Sequence, residues 1–476
     1  MANDNDVQSW FDIAGRDSSV KGLRAILSRK GIVASKHTMK RCLEVLKKSH
    51  FVEVNEQFRY LDSYKDLMNS KGHFTSLEKN GEFFLRLCVV YREGIEGFNH
   101  YVERGMQLDG TFLKNSSGGT LLVACYKDGN NNIKIIAIAI VSTENEDNWS
   151  WFLEFLLSNL YRPPTFIISD RDRGLQNSVA SHNIFHAYCF RHVLENFYLR
   201  FKNKSLKAKA WGLGKATNSN EFNRIKEWMN SFNPQAYEWL ENVGLERITL
   251  LHSPVCRYGT LTSNNVESVN SRLRECRKLP IMELLILIEK IVALDRLKAS
   301  QNAPEWTGHY TKYARGILKN HIKCSGELLS FQLSETTYSV TSPAPLQTTY
   351  QVDIDNATCS CGGPRAFGFP CIHLTKVFSQ LGIDESLFVC DGWKLNVYKD
   401  STRRLGQMGS VTTIEQLVKG NTLPPGINRR RGRPRHRRIE SQSIDRVPRR
   451  RVRLNRCGHC RESGHDRRNC PTLNRE

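Results

Sequence analysis

Residues 119–142 read GTLLVACYKDGNNNIKIIAIAIVS, and this stretch decides the fold. Two apolar runs, Gly119 to Asp128 and Ile133 to Ser142, flank the turn signal Asp128-Gly129-Asn130, which marks a hairpin. The second run is apolar enough to lie centrally in a sheet. Working outward, Val102 to Asp109 is a strand candidate set off by the turn residues Ser116-Ser117-Gly118-Gly119, so three strands make an antiparallel meander. An amphipathic helix, Asn148 to Leu160, follows and is stopped by Pro163-Pro164. Then come Thr165 to Ser169 as a fourth strand, a short helix from Gly174, and Ile184 to Phe190 as a fifth strand.

Three hairpin strands followed by alternating helix and strand is the order of an α/β, ribonuclease H-like mixed five-stranded sheet. From Arg191 to about Thr260 the pattern is mainly helical, with Trp211, Trp228 and Trp239. It reads as an all-helical insertion before a last helix that starts near Ser263. In this arrangement Asp109 ends the first strand and Asp170 ends the fourth, its sheet neighbour. Glu267 approaches from the first turns of the following helix. Three converging carboxylates raise each other's pKa unless cations neutralise them. Two divalent metals meet that need and hold the attacking and leaving oxygens of a phosphoryl displacement. Hard oxygen ligands favour Mg²⁺ or Mn²⁺. Taken singly, an Asp-Gly is an ordinary turn and an Asn-Asn-x-Glu an ordinary helix start. Their joint placement is what points to chemistry.

These residues also carry a resemblance. Asp109-Gly110-Thr111-Phe112, Ser169-Asp170-Arg171-Asp172, Cys189-Phe190-Arg191-His192 and Asn264-Asn265-Val266-Glu267-Ser268-Val269-Asn270 resemble the transposase domain of Mutator-like DNA transposons, from roughly residue 60 to 300. The resemblance implies a DDE-type transposase with Asp109, Asp170 and Glu267 as metal ligands. Asp172 is the alternative to Asp170. The family's Cys-x-x-His pair would be Cys189 and His192, read as a structural pair packing under the active site.

Two further clusters have metal-ligand spacing. Cys359-Ser360-Cys361 and Cys371-Ile372-His373 supply four soft or borderline ligands in two close pairs, as tetrahedral Zn²⁺ requires. With Tyr350 to Asp353 as a preceding strand, the segment resembles a SWIM zinc finger, whose role could be DNA binding, protein contact or folding energy. Cys457, Cys460, His465 and Cys470 resemble a CCHC zinc knuckle, a module that binds single-stranded nucleic acid. The stacking aromatics of such knuckles are missing here, and His459 is a spare ligand. Between the clusters, Arg431-Gly432-Arg433-Pro434-Arg435 resembles an AT-hook, in which Arg431, Arg433 and Arg435 would enter a narrow minor groove. An Arg-rich nuclear localisation signal is the compatible alternative.

The 476 residues hold 69 Lys+Arg against 48 Asp+Glu, a formal charge of +21 that calls for a polyanionic partner. Residues 428–456 alone contain thirteen Arg against Glu440 and Asp445, a composition that does not fold by itself. No apolar run reaches the ~18–20 residues of a membrane span, and the first residues lack a secretory pattern. The fourteen cysteines are dilute apart from the two clusters, which suits zinc in a reducing compartment rather than disulfides.

The expected layout begins with an N-terminal helical region over 1–65, either a helix-turn-helix or a plain helical cap, and a lead-in over 66–102. The transposase core follows over 103–300, with its insertion at about 193–260. A helical linker at 301–345 leads to the SWIM finger at 346–385. An Arg-rich disordered tail at 421–456 precedes the knuckle at 457–470. The expected function is a nuclear DDE transposase that binds terminal inverted repeats in double-stranded DNA and cuts and joins strands. The resemblance further implies a homo-oligomer. The alternative is a transposase-derived DNA-binding regulatory protein without catalysis. An RNA-binding protein built around the knuckle accounts only for the last residues.

Overall fold

The computed structural model describes residues 54–115, 117–343, 347–403, 411–426, 459, 460 and 470. The chain divides into two units, 1–428 and 429–476. The expected N-terminal helices up to residue 53, the AT-hook-like arginines, and Cys457 and His465 of the knuckle lie outside the described residues.

After helix α1 (Leu61–Ser70) come strands β1 (Phe74–Asn80) and β2 (Phe83–Val90), then helix α2 (Arg92–Asn99). The meander follows as β3 (Met106–Phe112), β4 (Thr120–Lys127) and β5 (Ile133–Val141). Helix α3 (Glu146–Ser158), β6 (Phe166–Ser169), helix α4 (Arg173–Ala180) and β7 (Phe185–Tyr188) complete the core sheet. Its order is β1-β2-β5-β4-β3-β6-β7. Pairing is antiparallel except for β3 with β6 and β6 with β7, which are parallel.

The sheet therefore has seven strands, not the expected five. The five expected strands are present, and the additional two lie in the stretch read as a lead-in. The reason is physical: β5 is buried from Lys134 to Val141, and a strand so enclosed needs hydrogen-bonding partners along both edges. β4 fills one edge, and Leu87–Val90 of β2 pairs with Ala137–Ile140 along the other. The first core strand also starts later than its apolar pattern suggests. Val102–Arg104 forms a 3-10 turn, closed by Gly105 at φ 70°, where a Cβ would run into the Phe166 ring.

Successive side chains of β4 enter opposite layers. Leu121, Val123 and Cys125 join one apolar cluster with α1 and with Val266, Val269, Ile281 and Val292 of two later helices. Leu122, Ala124 and Tyr126 join another with α2, α3 and α4. Helix α3 begins at an Asn145 cap, whose side chain accepts from the Asn148 amide at 3.0 Å, and it buries Trp149 and Phe152.

The helical insertion comprises α5 (Phe190–Phe201), α6 (Lys204–Lys215), α7 (Ser219–Phe232), α8 (Pro234–Val243) and α9 (Leu245–Ile248), packed around its own apolar core. Helix α10 (Asn264–Arg272) then returns to the sheet, packing against β3 and β4, and is followed by the long helix α11 (Ile281–Asn302). The stretch 301–345, expected to be a helical linker, holds one helix, α12 (Lys312–Ser325), and then two strands. These are β8 (Leu329–Gln332) and β9 (Thr337–Thr341), which join β10 (Thr349–Asp353) and β11 (Thr358–Cys359) in a second sheet of order β11-β10-β9-β8. Helix α13 (Gly363–Phe367), helix α14 (Ile372–Leu381) and α15 (Leu395–Arg403) follow. No described helix is long and apolar enough to cross a membrane.

Ile138 is fully buried between β2 and β4. Ile138→Ala is expected to cost about 2–5 kcal/mol in urea unfolding, whereas Val418→Ala, at a residue 73% exposed, is expected to change stability by no more than about 0.5 kcal/mol.

Candidate active site and zinc centre

β3 and β6 pair in parallel with Met106 opposite Ile167 and Gln107 opposite Ile168. Carrying that register two residues further sets Asp109 level with Asp170 at one sheet edge. The Asp170 carboxylate accepts the Asp172 amide at 3.1 Å. Asp172 itself caps α4, accepting from the Leu175 amide at 3.1 Å. The cap role occupies Asp172 and leaves Asp170, the residue directly after the strand, as the acid at the edge. Asp109 accepts a hydrogen bond from the Asn270 amide group at 2.7 Å. Asn270 lies one helical turn beyond Glu267 on α10, so both face the sheet edge.

Glu267 is ion-paired with Arg191, and its other oxygen is 3.4 Å from His192 Nε2. Both cations come from the first turn of α5. The His192 imidazole is pushed up to about 9, first by its hydrogen bond with Cys189, against burial, and then by the charges of Cys189, Asp170 and Glu267. Burial disfavours the Cys189 thiolate, yet the bond and charge of His192 outweigh it and hold the thiol below its ordinary value. The Ser263 amide also donates to the Cys189 sulfur at 3.3 Å. Buried Cys189 thus ties the end of β7 to the start of α10, and half-buried His192 reaches the Glu267 carboxylate as well.

One acid of this edge was missed in the sequence. Glu144 follows β5, which runs in the same direction as β3, so its carboxyl reaches the edge that carries Asp109 and Asp170. A Cβ at Gly110 would stand 2.6 Å from the Glu144 carboxyl carbon, so a side chain there would displace that carboxylate. Burial, then the charges of Asp170, Asp172 and Asp109, push Glu144 up to about 8. The available signal was an acid just past the end of a strand parallel to the one carrying Asp109. This crowding of half-buried carboxylates, built from hard oxygen donors, fits a divalent cation such as Mg²⁺ or Mn²⁺. Among the described residues Asp109, Asp170 and Glu267 do not close into a tight ligand group, because Glu267 is turned to Arg191 and His192.

The tight group is elsewhere. Ligand atoms of Cys359, Cys361, Cys371 and His373 all lie within 4.8 Å of one another. His373 Nδ1 is 3.5 Å from the Cys359 sulfur and 3.6 Å from that of Cys371. A tetrahedron with Zn–S of about 2.3 Å and Zn–N of about 2.0–2.1 Å has an S···N edge of about 3.6 Å, so the residues fit zinc. Hydrogen bonds from Cys359 and then Cys371 draw the Cys361 thiol far below the usual range, while contact with Cys361 pushes Cys359 up and contacts with Cys359 and Cys361 push Cys371 up, so one thiolate forms readily and a bound cation would be needed to ionise the others. β11 presents Cys359, the turn before α13 presents Cys361, and the N-terminus of α14 presents Cys371 and His373. Of the expected knuckle ligands, Cys460 and Cys470 are described, with Cys470 buried.

At the zinc centre, Cys371→Ser is expected to lower bound zinc by one ion per chain, read by mass spectrometry of the native protein. At the acid edge, folded Glu144 keeps its proton up to about pH 8, whereas its ordinary value is 4.5. Unfolding therefore releases a proton between those values, and stability falls as pH rises through that window. Glu144→Gln is expected to remove this slope in thermal melts without magnesium, and added Mg²⁺ to reduce it in the wild type.

The family model of the MULE transposase domain matches residues 105–196, a span that holds Asp109, Glu144, Asp170, Cys189 and His192. The model of the SWIM zinc finger matches residues 350–382 and includes all four zinc-cluster residues. No curated protein matches the chain. The acid-bearing sheet edge and the zinc cluster thus fall inside two recognised modules, and the chain carries a MULE transposase domain and a SWIM zinc finger.

Proposed function

We propose that this protein is a DDE-type DNA transposase of the Mutator-like class, nuclear and homo-oligomeric, built on a ribonuclease H-like sheet. In this reading it binds terminal inverted repeats and catalyses strand cleavage and transfer. The observation that carries the proposal is the level placement of Asp109 and Asp170 on adjacent parallel strands inside the matched transposase domain, with Glu267 on the helix packed against them. The strand order β5-β4-β3-β6-β7 supports the ribonuclease H-like assignment.

Asp109, Asp170 and Glu267 would hold Mg²⁺ or Mn²⁺, and Glu144 adds a fourth oxygen donor at the same edge. Such ions supply charge stabilisation for the attacking and leaving oxygens of phosphoryl transfer. The chain's own residues prepare the edge. Asn270 fixes the Asp109 carboxylate, the Asp172 amide fixes that of Asp170, and Arg191 with His192 pairs with that of Glu267. His192, with its raised pKa, keeps a positive charge at neutral pH beside Glu267. DNA phosphates compete for that same pair of cations, which would free Glu267 toward the other acids.

The pairing of Glu267 with two cations also favours a second reading, a transposase-derived DNA-binding regulatory protein in which this acid has become structural. One assay separates the two. A labelled duplex carrying the element's terminal inverted repeat is incubated with Mg²⁺ or Mn²⁺ and either wild type or Glu267→Gln. The transposase reading expects metal-dependent nicking at the repeat boundary, abolished in the variant, with DNA binding unchanged. Binding without nicking by either protein establishes the regulatory reading.

A further inference from the structure

From Asn196 to Asn220 the chain holds Arg200, Lys202, Lys204, Lys207, Lys209 and Lys215, and no acidic residue. Five of these six fall on or beside α6, whose buried face is Leu206, Ala210, Leu213 and Gly214. Opposite that face, Lys204, Ala208, Trp211 and Lys215 recur at helical spacing, with Lys207 flanking them. Lys204, Ala208 and Lys215 are exposed and Trp211 is half-buried. Among the described residues no carboxylate pairs with Lys204, Lys207 or Lys215, in contrast to the cations of the neighbouring helix α5, where Arg191 is held by Glu195 and Glu267.

The C-terminal half of the stripe is tied to two neighbours. Trp211 stacks on Phe190, with ring centroids 5.8 Å apart and planes 13° from parallel. Phe190 immediately precedes Arg191 and His192, the partners of Glu267. Just past α6, the Thr217 hydroxyl donates to the Cys361 carbonyl at 2.7 Å, inside the zinc-binding loop. Lys207 and Lys215 lie over aromatic rings, 5.4 Å from that of Tyr198 and 5.1 Å from that of Trp211, which holds their ammonium groups against the surface. From Lys204 to Lys215 the helix rises about 16 Å at about 1.5 Å per residue, close to the rise of roughly five base pairs at about 3.4 Å each.

We propose that the solvent-facing side of α6 is a track for the phosphodiester backbone of duplex DNA, with Lys204, Lys207 and Lys215 as its phosphate contacts and with its C-terminal half packed toward both Phe190, beside the partners of Glu267, and the zinc loop. This assignment rests on the reading of the protein as a DNA transposase, because it supplies that reading with a surface for its substrate. Lysines contacting phosphate act independently of sequence, so the track positions DNA and does not select the repeat.

The test uses the full chain and a fluorescent duplex of arbitrary sequence, with affinity measured across a sodium chloride series. The triple variant Lys204→Gln, Lys207→Gln and Lys215→Gln is expected to make the slope of log affinity against log salt shallower by about 2.7, at about 0.9 per lost contact. The corresponding triple Lys→Arg variant is expected to keep the wild-type slope. A charge-matched control, Lys312→Gln, Lys319→Gln and Lys323→Gln on α12, is expected to leave it unchanged. Glutamine preserves helix propensity at exposed sites, and an unchanged melting temperature confirms folding. An unaltered slope in the α6 glutamine variant, or equal loss in the α12 control, overturns the track. Loss of nicking in every protein, with the α6-specific slope change intact, sinks the catalytic reading alone.

Discussion

Backbone amides and carbonyls buried on both faces of a sheet have no water to turn to, and each one left unpaired costs about 1–3 kcal/mol. β5 is in that position along nearly its whole length. Its enclosure makes the β4–β5 hairpin the fixed axis of the molecule and forces a second partner onto its outer edge, which β2 supplies. With that edge closed, β3 lies on the far side of β4, and β6 and β7 extend the sheet from there in parallel. Asp109, Glu144 and Asp170 reach one edge because β3, β5 and β6 all point the same way. The acid edge is thus a consequence of how the central hairpin satisfies its backbone.

Electrostatics then divides that edge into two parts. Glu144, desolvated and crowded by Asp170, Asp172 and Asp109, with no ion pair among the described residues, is driven toward its neutral form. Glu267, one helix away, is instead matched by Arg191 and by a charged His192 that Cys189 supports. Carboxylates in similar proximity to one another therefore differ in what they demand. The first group calls for a cation, whereas Glu267 already has two and must exchange them for metal if it is to act with the others. Under the transposase proposal, phosphate groups arriving with DNA would offer a physical reason for such an exchange, since guanidinium and imidazolium groups form charge-assisted hydrogen bonds with phosphate as well as with carboxylate.

The zinc module and the helical insertion are packed together. Thr217 and Asn218, after α6, both donate to the Cys361 carbonyl, and Arg365 donates to the Ser253 carbonyl from the zinc loop. A Cβ at Gly362 would collide with the Thr217 backbone, so the loop can approach only with glycine there. Zinc binding, by holding Cys359 and Cys361 in place, also fixes the surface on which the C-terminal end of α6 rests.

Much of this was legible from residue order because it is local. Apolar runs and turn signals marked the five core strands, Asp170 sat visibly at a strand end, and the spacing of Cys359, Cys361, Cys371 and His373 was enough to announce a tetrahedral site; Asp109, expected at the end of its strand, lies within β3, which runs on to Phe112. The apolar run Ile133 to Ser142 even signalled a central strand, a reading at odds with its place at the edge of a five-stranded sheet. Only the tertiary structure brought β2 to that edge, because pairing partners far apart in sequence leave no periodic trace. The arrival of Glu144 beside Gly110 and the capture of Glu267 by Arg191 and His192 belong to the same class. Each depends on which side chains meet across separate elements, and burial and charge at those meetings, not residue type, set what the carboxylates can do.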